Sequence, residues 1–208
     1  MMRKFIFFTL FFIIFSITIN IFPAKSETFS TVDIVPYPQI VDKINQFREN
    51  PFGYIYVHRE NFPDINDTVR KSLFDLWRDN KPNYITGGLP ILQYDSCLEN
   101  IAESNLYSMY DSMTISHISR EEIKESCNVT LSGETVIAIA FQNYLTPSDF
   151  YKKISSLIIR KAITLSDNET APITMPFNIA GSALFSGVMK VNGVSYNIYI
   201  LDIIYGSK

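Results

Sequence analysis

His117 and Glu134 are the residues of this chain whose types and positions could do chemistry. An imidazole and a carboxylate that meet in one cleft can hold a proton between them, orient one another or take part in acid–base work. Ser116-His117 follows an amphipathic stretch, and Gly133-Glu134 follows a short polar segment after it. The chain has 2 histidines, and the other, His58, sits in a solvated-looking His58-Arg59-Glu60 run. A zinc site normally takes three or four protein ligands. The simplest reading of His117 and Glu134 is therefore a hydrogen-bonded pair that ties a loop to a helix end. Lining of a ligand cavity comes second and catalysis last, and no residue is assigned a catalytic role.

The elements that must position this pair are legible in the hydrophobic spacing. Asp95 is a good helix cap. Leu98, Ile101, Ala102, Asn105, Leu106, Met109 and Met113 then form an apolar stripe with one polar member. The spacing predicts a helix ending near Met113 or Thr114, with His117 just past its C-terminus. Residues 118–132 are polar and read as a loop, while Thr135 to Phe141 fits strand or helix. Upstream, Pro36 and Pro38 introduce a helix with Ile40, Val41, Ile44 and Phe47 on one side, closed by Pro51 and Gly53. Residues 53–88 read as an insertion, in which Asn66 or Asp67 caps a helix bearing Val69, Leu73, Leu76 and Trp77. Downstream, Thr146-Pro147-Ser148-Asp149 starts a helix whose buried face is Phe150, Ile154, Leu157, Ile158 and Ile163. Residues 167–176 read as a loop. The chain then turns to strands, Asn178 to Phe185 and Val194 to Ile204, joined by the hairpin signal Val191-Asn192-Gly193. The last strand is apolar on both faces, which places it between two layers. Helices early and antiparallel strands late predict an α+β fold. The expected form is a three-layer α/β/α sandwich with an antiparallel central sheet and a C-terminal hairpin.

The first residues speak to compartment. Met1-Met2-Arg3-Lys4 precedes an apolar run from Phe5 to Phe22, the pattern of a secretory signal. Ala24-Lys25-Ser26 offers small residues for cleavage before Glu27, so residues 1–26 are expected to be removed; an uncleaved anchor is the competing reading. Both place the remainder outside the cytosol, and a secreted protein is the expectation. Losing Arg3, Lys4 and Lys25 leaves 15 of the 18 basic residues against 21 acidic ones, a net charge of −6. That acidic balance argues against nucleic acid and against anionic membrane surfaces as partners. Cys97 and Cys127 are expected to pair in an oxidising compartment, with two free buried thiols as the alternative. A disulfide there excludes either cysteine as a nucleophile beside His117. Asn66, Asn128 and Asn168 each open an Asn-x-Thr acceptor sequence, which makes them glycosylation candidates on surface loops.

Several short blocks, in order, resemble the CAP superfamily. That group covers cysteine-rich secretory proteins, insect venom allergens, plant pathogenesis-related proteins and bacterial SCP-domain proteins. Ile44-Asn45-Gln46-Phe47-Arg48 resembles its hydrophobic-Asn-x-x-Arg opening. Leu92-Gln93-Tyr94-Asp95 with Leu98 and Ala102 resembles its second block. Ser116-His117 is similar to its Ser-His, and Gly133-Glu134-Thr135 to its Gly-Glu-Asn. Gly181-Ser182-Ala183 and Tyr199 to Gly206 resemble its closing hairpin, so the resemblance runs over residues 36–206 with the 53–88 insertion inside it. The resemblance implies a cavity with two histidines and two acids able to hold a divalent metal; His117 and Glu134 match one of each. No histidine falls between Ser155 and Ile163, where the second belongs, and Thr135 stands where the family prefers Asn. No cofactor is expected, a divalent metal being the one that an intact set of four would admit.

Three functions follow as expectations. The first is a secreted CAP-like binding protein that takes a small apolar ligand, a sterol or fatty acid, in a hydrophobic groove, its polar cavity degenerate. The second is an extracellular protein-interaction module using the 53–88 insertion. The third is a metal-assisted hydrolase using His117 and Glu134, which ranks last because half of the set of four is missing.

Overall fold

The computed structural model of the chain describes residues 29–61, 89–142, 145–164, 173 and 175–208. The expected signal over residues 1–26, the capped helix expected within 62–88, and the acceptor residues Asn66 and Asn168 lie outside them. The elements are β1 (Phe29–Pro36), α1 (Gln39–Glu49), α2 (Pro51–Val57), β2 (Gln93–Tyr94), α3 (Ser96–Ser112), α4 (Arg120–Cys127), β3 (Leu131–Phe141), α5 (Pro147–Thr164), β4 (Ile179–Val191) and β5 (Val194–Ser207). The strands make one 5-stranded sheet in the order β1-β4-β5-β3. Its long pairings are antiparallel, and the short β2 runs parallel to β4. The fold is mixed α+β.

Strand period explains the core. Ile198, Ile200 and Ile204 of β5 pack with Leu98, Ala102, Leu106 and Met109 of α3 and Ile123 of α4. Leu201, Ile203 and Tyr205, on the opposite face of the strand, pack instead with Ile40, Ile44 and Phe47 of α1, Tyr54 of α2 and Ile154 of α5. Alternate residues of one strand thus feed two apolar clusters, as the two-sided apolar pattern requires. The hairpin turns at Asn192 (φ 51°) and Gly193 (φ 83°), both left-handed, which suits a two-residue loop between twisted strands.

Four local outcomes differ from the sequence reading. Residues 120–127 form α4, not a loop. Ser119 caps it by accepting from the Glu122 amide at 3.1 Å, and only Ile123 and Cys127, one turn apart, are buried. Two buried positions are too few to show as a stripe. Pro51 ends α1 but also opens α2, whose Tyr54 and Ile55 are buried in the α1 cluster. The run from Thr135 is strand, and the strand starts earlier, at Leu131. Finally, β1 precedes the first helix as an edge strand on β4, where mostly exposed side chains leave no apolar signature.

Cys97 in the first turn of α3 and Cys127 at the end of α4 form a disulfide with Cα atoms 5.8 Å apart. The bridge closes a loop of sequence separation 30. The double Cys97→Ser, Cys127→Ser variant should therefore lose about 3–4 kcal/mol in a chemical denaturation curve. Addition of a reductant should bring the parent to the same midpoint. Among the described residues no helix is long and apolar enough to cross a membrane.

Candidate functional site

The site begins with α3. Asp95 caps it, its Oδ1 accepting from the amides of Cys97 at 3.0 Å and Leu98 at 3.2 Å. Burial pushes the Asp95 carboxyl up, but the Lys208 ammonium and the helix amides outweigh it and hold the group below its usual range. Ten residues along α3, Asn105 points into the protein with 7 % exposure. The helix ends at Met113 in a left-handed turn (φ 53°), and the chain doubles back so that Ser116 and His117 lie over Asn105.

The two sequence-predicted residues meet. His117 Nδ1 lies 2.6 Å from Glu134 Oε2. The imidazole is 64 % exposed and the carboxylate only 7 %. The other Glu134 oxygen, Oε1, accepts from the Ile118 amide at 3.3 Å and from Asn105 Nδ2 at 3.1 Å. Asn105 gives its second amide hydrogen to Asp202 Oδ2 of β5 at 2.8 Å, and its own oxygen accepts from Ser116 Oγ at 3.3 Å. Asp202 is completely buried. Burial, and then repulsion from Glu134, push its carboxyl well above the ordinary range, against the smaller pulls of the Asn105 amide and the Ile203 backbone amide. Beside this network a cleft of about 490 Å³ opens, lined by Asn100, Ser104 and Ser108 of α3, Ser116 and His117, and Glu122 and Ser126 of α4 among others.

No protein-family model matches the chain, and no curated protein matches it. Function therefore rests on the geometry of the site.

His117 and Glu134 spend their facing atoms on each other, and the remaining Glu134 oxygen is occupied by two amides. The exposed His117 Nε2 is then the one ring atom the pair leaves facing outward, fewer than the three or four ligands a zinc site takes. Among the described residues, the one group of three potential ligands within reach of each other is Asp95, Cys97 and Cys127. Its two sulfurs are bonded together and its carboxylate is committed to helix amides and Lys208, so it offers no site either. Asn128, one of the three acceptor candidates, is exposed at the left-handed end of α4 (φ 50°). His58 packs its ring against Tyr54, centroids 4.4 Å apart, far in sequence from the cleft.

Asn105 and Asp202 are the members that sequence reasoning did not assign. Each carried a signal: Asn105 is the polar interruption of the α3 stripe, and Asp202 is the lone charge in the apolar run from Tyr199 to Tyr205. A buried polar residue in an apolar row implies a partner.

A second cleft, of about 430 Å³, lies on the other face of the sheet. Tyr37, Leu145, Phe150, Tyr151, Leu184 and Tyr199 are among its lining residues. Phe150 and Tyr199 face each other there with ring centroids 4.4 Å apart.

Proposed function

We propose that the chain is a secreted, CAP-like binding protein that carries a small apolar ligand, a sterol or fatty acid, in the aromatic groove. In this reading the two helical clusters and the sheet between them are the three layers of an α/β/α sandwich.

The blocks that carry the resemblance support it by touching one another. Asn45 exchanges two hydrogen bonds with the backbone of Leu92, at 2.9 and 2.8 Å, joining the first block to the second. His117 bonds Glu134, joining the third to the fourth. Ser182 of the closing hairpin accepts from Tyr94 Oη at 3.1 Å.

The observation that carries the ligand class is the lining of the groove. Four aromatic rings and two leucines around about 430 Å³ suit an apolar molecule, since ligand pockets run from about 300 to 1,000 Å³ with mostly apolar walls. The polar cleft has no comparable wall.

Purified protein should take up a fluorescent sterol or fatty acid saturably. The Ser186→Trp variant, which fills the groove from β4, should bind about tenfold more weakly, a loss of about 1.4 kcal/mol, with an unchanged melting temperature. Uptake no greater than that of an inert secreted protein would remove this reading.

A further inference from the structure

Beneath the polar cleft two acids share one amide. Glu134 and Asp202 sit on the same face of neighbouring strands, one diagonal step apart, because Glu134 pairs with Ile204 and Asp202 with Val136. The neighbours of Asp202 are apolar: Val136 and Ala183 in register, and Ile200 and Ile204 along its own strand. Its Oδ1 has no hydrogen-bond partner. Glu134, by contrast, receives the Asn105 amide, the Ile118 amide and His117 Nδ1.

We infer that Glu134 and Asp202 hold a single proton between them across the Asn105 amide, and that this proton latches the Ser116–Ile118 wall of the cleft.

The electrostatics assign the two positions. Two anions in an apolar interior with one shared amide repel at short range and are poorly solvated. The charge settles where donors are most numerous, on Glu134, and the proton settles on Asp202. The charged Glu134 is then free to hold the wall through Ile118 and His117. The groups that face the pair do not offset a second charge. The loop brings His117, which is already engaged. From α4, Glu122 enters the cleft wall as a further acid, and α3 contributes the neutral Asn105. Next to Asp202, β4 contributes Ala183. No Lys or Arg is among the described residues that line the cleft.

The sign of the pH effect follows. A carboxyl raised by folding contributes stability that is full below the ordinary carboxyl range and is lost as pH rises through its raised value. When Asp202 releases its proton, a second negative charge appears beside Glu134. The pair separates, Glu134 is displaced, and the wall loses its anchor. The latch is closed while Asp202 keeps its proton and Glu134 its charge, and it loosens as pH rises through the Asp202 ionisation.

Hydrogen exchange at the Ile118 amide reads the latch directly. In the full chain its protection, corrected for the intrinsic base-catalysed rate, should fall more than tenfold across the pH range in which Asp202 ionises. In Asp202→Asn, a neutral side chain of the same shape, protection should stay flat. The infrared carbonyl band of a protonated carboxyl, assigned by isotope-labelled aspartate, should vanish from the parent over that same range. This second measurement needs no variant and stands if Asp202→Asn does not fold. A parent without that band at neutral pH would overturn the inference. So would Ile118 protection that is indifferent to the band's loss, or a pH dependence that Asp202→Asn shares with the parent.

Discussion

The Arg48→Ala variant is expected to unfold about 4 kcal/mol more easily than the parent. Arg48 is completely buried. Its guanidinium donates from Nε and Nη2 to the Pro90 carbonyl at 2.9 and 2.7 Å, from Nη1 to Ile173 and Met175 at 2.8 and 3.0 Å, and from Nη2 to Phe177 at 2.7 Å. One side chain from α1 thus holds the segment leading into β2 and the segment leading into β4. Alanine leaves four carbonyls without their donor, two of them in fully buried bonds, and adds a cavity where the side chain was. Stability of a domain this size is about 5–15 kcal/mol, so the loss is a large share of the whole. In urea the midpoint should fall by about 2 M, for a slope of about 2 kcal/mol per molar. Arg48→Lys separates charge from geometry. An ammonium keeps the charge but has three donors from one atom and cannot span carbonyls on two segments. It should recover less than half of the loss. Full recovery by lysine would mean that the fork of donors is not what joins the two segments.

Sequence and structure agree most closely where one chain segment decides its own shape. Asp95 caps α3, and Met113 ends it, because a short carboxylate satisfies free amides and a left-handed residue breaks the ladder. Both effects are local. The start of α5 is legible for the same reason: Thr146 Oγ1 accepts from the Asp149 amide at 3.2 Å, as the Thr-Pro-Ser-Asp run predicts. The Asn192-Gly193 turn needs only its own two residues. Elements that depend on distant partners were harder to read. β3 could not be told from a helix, because its apolar run is explained only by β5 beside it. β1 is a mostly exposed edge held by its pairing with β4 and by Phe29 packing on Tyr110 and Phe185. α4 is held by two buried residues, a disulfide, and a bond from Ser132 Oγ to the Arg120 carbonyl at 2.9 Å, none of which shows as periodicity.

The same divide runs through the site. His117 and Glu134 were legible because an exposed imidazole and an acid beside a glycine are conspicuous types. The residues that bind them into a network were not. Asn105 looks like a tolerated exception within a helix stripe, and Asp202 like a break in a strand. Their meaning is relational: a buried amide with two hydrogens between two acids on neighbouring strands. Only the strand register, which sets Glu134 one diagonal step from Asp202, brings that out. Arg48 belongs to the same class. It enters the sequence reading only as the last residue of the Ile44–Arg48 block, and its role depends on carbonyls more than 40 residues away for Pro90 and more than 120 for Ile173.

Gly181→Ala should be the most damaging of the glycine substitutions, at about 3 kcal/mol, because α3 rests directly on the β4 backbone. A Cβ on Gly181 would drive into the Glu99 amide nitrogen and the Leu98 carbonyl carbon, and would lie 2.8 Å from the Asp95 carbonyl oxygen. These are backbone atoms of the first turn of α3, and that turn has no freedom to retreat. Asp95 caps it, Lys208 holds Asp95, and the disulfide at Cys97 ties it to α4. Overpacking costs about 1–3 kcal/mol where neighbours yield, and the upper end applies where they do not. Gly193 is the control. A side chain there meets nothing within 4 Å, so only the left-handed backbone (φ 83°) opposes it, at about 1 kcal/mol. Parallel denaturation of Gly181→Ala and Gly193→Ala should give losses in a ratio of about three to one. Equal losses would mean that α3 lifts freely from the sheet. The consequence reaches the site, because Asn105 is carried on the same rigid helix. If the first turn of α3 is pushed off β4, the amide that Glu134 and Asp202 share moves with it. Gly181→Ala should then also expose the Ile118 amide to exchange at every pH, whereas Gly193→Ala should leave that amide as protected as in the parent.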